Sequence, residues 1–301
     1  MTLMDTDEAL AEYEAARHRL PAPPRAGAAV RLTDLSGLAD RFDAFLLDAF
    51  GVLNIGDQAI EGAPERIRGL QAAGKRVLVL TNAASVPRAA LHQKYATLGY
   101  RFAAGDIVSS RDVLMSAMAD EPGQQWGVMA EPELQGADLD GLRASYLGAD
   151  RRDYTEADAF LLLGSGGWSA ERQTLLERAL LDRPRPVWVG NPDIIAPRQF
   201  GLSVEPGFYA HKLAERTGIA PRFFGKPFRN IFDHAFDRLG AGFNPARTVM
   251  VGDSLHTDVL GALNAGIASA LVAGYGLLSG YDVASAISRT GISPDYIVAR
   301  P

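Results

Sequence analysis

Apolar and polar positions alternate along the chain in blocks that are typical of strands and helices following one another. Continuous apolar runs at 45–47, 77–80 and 249–251 predict buried parallel strands, because such strands are covered on both faces. Segments such as 228–239 instead carry their apolar residues at helical spacing, which predicts amphipathic helices. This alternation predicts an α/β fold with a doubly wound parallel sheet.

The same patterns place the remaining elements and suggest two domains. Further helices are predicted at 5–20, 35–42, 64–73, 87–98 and 169–181, and further strands at 127–130, 159–163, 187–189 and 268–272. Beyond residue 98 the strands become shorter and Gly and Ala more frequent, and strong alternation returns after residue 194. We therefore predict a core made of residues 1–85 and 195–301, interrupted by an inserted α/β cap domain of residues 86–194. The acidic N-terminal helix is expected to pack on this core or cap it.

Composition narrows the class of protein. A chain of 301 residues that is 47% hydrophobic can bury a large core. The net charge of −6 argues against general binding to nucleic acid or to a membrane surface, since both depend on basic patches. No apolar run approaches the ~18 residues of a membrane helix, and the N-terminus does not resemble a signal peptide, so a cytoplasmic location is expected.

Residue usage also limits the chemistry that is available. Because the chain has no Cys, disulfides, thiolate catalysis and thiolate metal sites are excluded, and oxygen ligands remain for any metal. The histidines lack metal-ligand spacing, and four of them are expected at the surface or just behind a site: His92, His211, His234 and His256.

Four strand-like runs end in polar residues that are suited to holding phosphate or metal. In chain order these residues are Asp48, then Thr81 and Asn82, then Lys226, and finally Asp253 and Ser254 with Asp258 further on. Each of them alone has an ordinary explanation as a turn former, a strand end or a solvated charge. Together they follow predicted strands at the carboxyl end, where open α/β sheets bind their ligands, and they therefore predict one shared site.

In this order the four motifs resemble those of the haloacid dehalogenase-like superfamily, and the resemblance spans most of the chain. The insertion after Asn82, the run 187–193 and the triplet 225–227 resemble the NagD-like branch. That branch includes phosphatases of sugar phosphates, nucleoside monophosphates, phosphoglycolate and pyridoxal phosphate. The resemblance implies a Mg²⁺-dependent phosphatase of a small phosphorylated metabolite that works through an aspartyl-phosphate intermediate. Cap-mediated dimers occur among such relatives, so a homodimer is one expected assembly.

The resemblance also implies a role for each motif residue. Asp48 is the expected nucleophile, because a carboxylate is ionised at neutral pH without help. Mg²⁺ would be held by Asp48, Asp253 and the backbone carbonyl of Phe50. Thr81 would grip the transferring phosphoryl group, and Lys226 would stabilise the charge of the transition state.

Five further residues are expected around this centre. Asn82, Asn191 and Asp193 are expected at the substrate, the latter two near the interface of cap and core together with the turn 205–207. Ser254 and Asp258 are expected behind the metal, where Asp258 orients the metal's water ligands or Lys226.

One position departs from the family pattern. Phosphatases of this superfamily carry Asp two positions after the nucleophile, where it protonates the leaving oxygen, but this chain has Phe50. General acid–base catalysis contributes ~10²–10⁴-fold, so a slow phosphatase is expected, or one restricted to leaving groups that need no proton. Two alternatives stay open: a catalytically impaired protein that binds a phosphorylated metabolite, and a 2-haloacid dehalogenase, which also carries an aromatic residue here. The acidic metal site at Asp253 and the type of cap argue against the dehalogenase.

Overall fold

The computed structural model describes residues 3–119, 123–131, 139, 141–198 and 201–301. Its strands are β1 (Leu3–Met4), β2 (Val30–Asp34), β3 (Ala44–Leu47), β4 (Asn54–Ile55), β5 (Gln58–Ala59), β6 (Arg76–Thr81), β7 (Ile107–Ser109), β8 (Trp126–Met129), β9 (Ala144–Tyr146), β10 (Ala159–Leu162), β11 (Val187–Val189), β12 (Ile195–Arg198), β13 (Gly201–Val204), β14 (Arg222–Phe223), β15 (Thr248–Gly252), β16 (Ala268–Val272) and β17 (Tyr296–Arg300). Its α-helices are α1 (Thr6–Ala15), α2 (Ala63–Ala72), α3 (Arg88–Thr97), α4 (Ser110–Met118), α5 (Arg151–Thr155), α6 (Ala170–Asp182), α7 (Pro206–Thr217), α8 (Arg229–Leu239), α9 (Leu260–Ala265) and α10 (Val283–Thr290). Among these described helices we find no segment with the length and apolar character that a bilayer crossing requires.

The larger sheet has seven parallel strands in the order β2-β17-β16-β15-β3-β6-β7. Strand β3 is buried throughout, and its residues alternate between two hydrophobic clusters. Phe45 and Leu47 join side chains of α2 and α3, whereas Ala44 and Leu46 join side chains of α4 and α8. Helices therefore cover both faces of the sheet, which explains the continuous apolar run and confirms the predicted doubly wound α/β core.

The smaller sheet has five parallel strands in the order β14-β11-β10-β8-β9. One of its faces packs against apolar residues of α6 and α7. Its other face, which includes Trp126, Leu161 and Trp188, belongs to the same hydrophobic cluster as α4 and α8 of the core. The predicted inserted α/β domain is thus confirmed, and it packs on the core through a continuous apolar contact.

The sheets that strands β7 and β14 join indicate where the inserted domain begins and ends. Strand β7 lies inside the range 86–194, yet it pairs with β6 of the larger sheet. Strand β14 lies outside that range, yet it pairs with β11 of the smaller sheet. The bounds 86–194 remain a prediction, and we propose that the inserted domain begins after α4 and ends with β14.

The N-terminal segment joins the core to strands β12 and β13. Strand β1 pairs with β13, which also pairs with β12, forming a three-stranded antiparallel sheet. Helix α1 begins with a capping box of Asp5 and Glu8 and buries Leu10 and Tyr13. These residues pack in one cluster with residues of α9 and with Ile194. Helix α1 therefore contacts both the core and the hairpin β12-β13.

Two local predictions are wrong. The helix predicted at 35–42 is a single 3₁₀ turn, Leu35–Leu38, in which the Asp34 carboxylate accepts a hydrogen bond from the Ser36 amide at 2.8 Å. Gly37 within this segment weakens helix formation. His211, expected at the surface or behind the site, is instead buried on α7, beside β14 of the smaller sheet. Its ring stacks on Phe223 with centroids 5.0 Å apart.

Because His211 is buried, the stability of the folded protein depends on pH in the acidic range. Neither ring nitrogen has a hydrogen-bond partner among the described residues, and the side chain is 3% exposed. Burial lowers the pKa of His211 from its usual 6.5 to about 4. Below the usual value the unfolded chain binds a proton that the native protein does not bind, so stability falls as the pH drops through this window.

We expect His211→Leu to reduce the acid sensitivity of folding. Between about pH 7 and about pH 5, the free energy of unfolding of the wild type should fall by about 2 kcal/mol more than that of the variant. Urea unfolding at the two pH values measures the difference. Partly exposed His234 on α8 provides the control, His234→Leu, which should keep the wild-type pH dependence. Parallel pH profiles for His211→Leu and wild type would contradict the prediction.

Candidate active site

The candidate site lies where three adjacent strands of the larger sheet end. Asp253 follows β15, Asp48 follows β3 and Thr81 ends β6. The register pairs Val251 with Leu47, and Leu47 with Val79, so the three carboxyl ends are level with one another. This common edge is the ligand-binding edge of an open α/β sheet.

A cluster of charged side chains forms the floor of the site. The Lys226 ammonium lies 2.7 Å from the carboxylates of both Asp48 and Asp258, and its side chain is 2% exposed. Asp258 belongs to a π-helical turn, Leu255–Val259, and its second oxygen accepts a hydrogen bond from the Ser254 amide at 3.1 Å. One oxygen each of Asp48, Asp253 and Asp258 lie within 4.8 Å of one another. The motifs that are distant in sequence thus meet around one ammonium group.

The side chain of Asn82 connects this floor to the segment 191–205. Its oxygen accepts a hydrogen bond from the Lys226 amide at 2.8 Å. Its amide group donates to the Lys226 carbonyl at 3.0 Å and to the Asp193 carboxylate at 2.8 Å. Asn191 in turn accepts from the Asp193 amide at 3.0 Å and donates to Glu205 at 3.1 Å. These bonds fix both the lysine and the Asp193 carboxylate.

A cavity of about 300 Å³ opens above the floor. Eight of the predicted site residues line it, namely Asp48, Phe50, Thr81, Asn82, Asn191, Asp193, Asp253 and Ser254. Lys226 and Asp258 contact Asp48 and Ser254 from behind. The structure therefore brings all ten together. Among the lining residues that the sequence did not indicate are Tyr13, Lys94 and Tyr95, which lie on helices without a motif to mark them.

Carboxylates outnumber buried cations at this floor, and their pKa values reflect it. Burial raises the pKa of Asp48 to about 6, with a further rise from Asp258, although Lys226 opposes both. Burial likewise raises the pKa of Asp193 to about 8 and, with repulsion from Asp48, that of Asp253 well above its usual range. Burial would lower the pKa of Lys226, but attraction to Asp258 and Asp48 raises it overall. A cation placed among these groups would relieve the repulsion.

The donor set fits a hard divalent cation. Asp48 and Asp253 offer carboxylate oxygens, the ligands that Mg²⁺ takes. The Ser254 hydroxyl is buried and has no hydrogen-bond partner among the described residues. Gly51 and Gly276, both with φ of 74°, press their backbones against the Asp253 carboxylate so closely that a Cβ on either would overlap it. The residues present could therefore hold a metal ion, with Asp253 fixed by its surroundings and by a 2.9 Å hydrogen bond from the Leu277 amide.

The aromatic side chain at position 50 faces this cavity. Phe50 lines it together with Lys94, whose ammonium lies 4.9 Å from the centroid of the Phe50 ring. Lys94 also lies 3.7 Å from the exposed Asp57 carboxylate. The structure thus places a cation beside the ring, and the ring itself has no proton to give to a leaving group.

Comparison with known proteins agrees with this geometry. A family model described as haloacid dehalogenase-like hydrolase matches residues 45–137, and one described as HAD-hydrolase-like matches residues 223–300. The chain is 31% identical over 285 residues to a glycerol-3-phosphate phosphatase of Gallus gallus, covering 85% of this chain and 88% of the relative.

Two solved structures share the fold at 24% identity, a likeness that shows the fold alone. One is a possible sugar phosphatase of the HAD superfamily from Cytophaga hutchinsonii, with a TM-score of 0.77 over 90% of this chain and 98% of the other. The other is glycerol phosphate phosphatase from Mycobacterium tuberculosis in complex with calcium, with a TM-score of 0.62 over 79% of this chain and 68% of the other.

A substitution at Gly276 tests whether metal binding depends on the position in which the backbone holds the Asp253 carboxylate. We expect Gly276→Ala to displace the Asp253 carboxylate and to weaken Mg²⁺ binding at least about 10-fold, because mutations beside metal ligands commonly have this effect. Calorimetric titration with MgCl₂ measures the affinity. Gly280→Ala is the matched control, since Gly280 has a similar φ of 76° but nothing within 4 Å of an added Cβ. Equal affinities in the two variants would contradict the prediction.

Proposed function

Because the chain belongs to the haloacid dehalogenase-like hydrolase superfamily, in its NagD-like branch, we propose that it is a Mg²⁺-dependent phosphatase of a small phosphorylated metabolite. The observation that carries the proposal is the floor of the cavity. The Asp48 carboxylate there lies 2.7 Å from the buried Lys226 ammonium and within 4.8 Å of the Asp253 carboxylate. An oxygen nucleophile, a fixed positive charge and a second metal-binding carboxylate are the groups that phosphoryl transfer requires.

In the proposed reaction Asp48 is the nucleophile. One of its oxygens attacks phosphorus, the ester P–O bond breaks, and an aspartyl phosphate forms while the alcohol leaves with the electron pair of the broken bond as its anion and takes a proton from solvent. Lys226 stabilises the negative charge that the phosphoryl oxygens carry in the transition state, and Thr81 binds one of those oxygens. Water then hydrolyses the aspartyl phosphate, which releases inorganic phosphate and restores Asp48. Bound Mg²⁺, held by Asp48, Asp253 and the Phe50 carbonyl, would supply charge neutralisation between the two anions.

The ligand class follows from the site and from the relatives. A cavity of about 300 Å³ suits a small organic phosphate, and the polar groups at its wall, Asn82, Asn191 and Asp193, suit a hydroxylated substrate. Glycerol 3-phosphate, on which the similar enzyme from Gallus gallus acts according to its name, is a member of this class. A cytoplasmic location and a homodimer stay predictions.

Phe50 keeps one further candidate function open. A protein that binds a phosphorylated metabolite without hydrolysing it would retain the charged floor and lose the acid at position 50. The third candidate, a 2-haloacid dehalogenase, would not need three carboxylates within 4.8 Å of one another, and this cluster argues against it. Release of phosphate from an ester, or of halide from a 2-haloacid without added metal, separates the candidates.

We expect phosphate release from p-nitrophenyl phosphate to require Mg²⁺ and Asp48. Asp48→Asn should lower kcat by at least about 10³-fold, because the amide cannot form the acyl phosphate. EDTA should abolish turnover, and added Mg²⁺ should restore it. Asp237→Asn, at an exposed position of α8, is the control and should match the wild type. Undiminished turnover in EDTA would remove the metal from the proposal.

We expect Phe50→Asp to accelerate hydrolysis of esters whose alcohol needs a proton to leave. The new carboxylic acid should raise kcat for glycerol 3-phosphate at least about 10-fold, which is a fraction of the usual contribution of general acid catalysis. The gain for p-nitrophenyl phosphate should be smaller, since p-nitrophenol leaves readily as its anion. Phe50→Asn has nearly the same shape as Phe50→Asp but no acidic proton, and should show no gain. Identical rates for Phe50→Asp and wild type would mean that another group already supplies the proton.

A further inference from the structure

The N-terminal helix reaches the active-site cavity through one side chain. Tyr13 of α1 is 2% exposed and lines the same cavity as Asp48, Thr81 and Asp253. It lies outside both segments that the family models match, 45–137 and 223–300. A residue far from every catalytic motif in sequence therefore forms part of the wall around the proposed reaction.

The hydroxyl of Tyr13 has a donor hydrogen that is not used within the described structure. Its oxygen accepts a hydrogen bond from the Ile194 amide at 3.3 Å. None of the described residues accepts a hydrogen bond from this hydroxyl. Because the Ile194 amide occupies the oxygen and Tyr13 lines the cavity, the hydrogen is available to a ligand in the cavity.

The surroundings keep this hydroxyl protonated. Burial raises the pKa of Tyr13 well above its usual range, and the negative charges of Asp193 and Asp253 raise it further, against the effect of backbone hydrogen bonds from Ile194 and Ile195. A phenol in this environment remains a hydrogen-bond donor at neutral pH. It suits an acceptor oxygen of a ligand.

The ring is held in place from behind. It stacks on the His256 ring with centroids 4.6 Å apart and planes 9° apart. His256 is itself fixed by Glu14, which lies on α1 like Tyr13. The Glu14 carboxylate lies 2.7 Å from the Nε2 atom of His256. A donor on a ring held this firmly is preorganised, so little conformational entropy is lost when a ligand accepts its hydrogen bond.

We propose that Tyr13 is a substrate-binding residue, whose hydroxyl donates a hydrogen bond to an oxygen of the bound phosphate ester. A buried donor without an acceptor is costly, and the ligand oxygen would satisfy it. The inference rests on the proposed function only for the chemical class of the ligand. The N-terminal helix thus completes the active site as well as packing on the core.

The test compares two Tyr→Phe variants. One removes a hydroxyl that belongs to α1, and the other removes a hydroxyl that holds α1 to the rest of the protein. Tyr13→Phe keeps the stacked ring and removes the donor. Tyr281→Phe removes the hydroxyl that donates to Asp7 of α1 at 2.7 Å on the protein surface. With p-nitrophenyl phosphate and Mg²⁺, we expect KM to rise about 10-fold in Tyr13→Phe, as for the loss of one hydrogen bond to a charged acceptor, and to stay within about 2-fold of wild type in Tyr281→Phe. Equal KM values in the two variants would overturn the inference.

A second measurement does not depend on turnover. In an Asp48→Asn background, the dissociation constant of p-nitrophenyl phosphate with Mg²⁺ present should be about 10-fold weaker when Tyr13→Phe is added, by isothermal calorimetry. An unchanged constant overturns the inference. If wild type releases no phosphate but the two constants differ as expected, the proposed function fails and Tyr13 remains a ligand-binding residue.

Discussion

The buried Lys226 ammonium is the contact on which the rest of the site depends. It lies between the carboxylates of Asp48 and Asp258, and its backbone amide and carbonyl are both bonded by Asn82. Because Lys226 follows β14 of the smaller sheet whereas Asp48 follows β3 of the larger one, this one residue joins the two sheets. Removing a partner from such a buried pair leaves an uncompensated charge, which costs roughly 3–5 kcal/mol, so the cluster constrains both the fold and the chemistry.

The apolar contact between the domains has a consequence for the cavity. Trp126 and Trp188 of the smaller sheet share one hydrophobic cluster with Phe232 of α8 and Leu114 of α4. Domains that meet through polar surfaces usually move freely, but a large apolar interface opposes such movement. Asn82, which hydrogen-bonds Lys226 and Asp193 at once, adds a polar connection at the same junction. Both connections therefore oppose movement of the smaller sheet relative to the larger one.

Sequence reasoning found the parts of this structure that local patterns encode. Continuous apolar runs in the sequence predicted the buried strands. Polar residues at the carboxyl ends of these strands predicted the charged floor of the site. It did not find Tyr13, because an acidic amphipathic helix gives no sign of which partner its apolar face will meet. That face reaches the cavity through the pairing of β1 with β13, a contact between residues about 200 positions apart. The short strand β14 pairs with the smaller sheet although it lies outside the predicted range 86–194, and two residues carry no signal of the sheet they join.

The proton donors of this cavity differ from those of a phosphatase that carries a second carboxylic acid beside its nucleophile. Position 50 carries a phenyl ring, which lies next to the Lys94 ammonium. The Phe50 ring has no acidic proton to give to a leaving group. Burial is the main cause of the raised pKa values of Asp48 and Asp253, and a carboxylate at position 50 would have added to the negative charge that raises them further. Tyr13 contributes a donor without adding charge, but burial holds its proton tightly. Under the proposed function, the side chain at position 50 gives a departing alcohol no proton, and Asp193, whose pKa burial raises to about 8, is a protonated carboxylic acid that remains at the cavity wall.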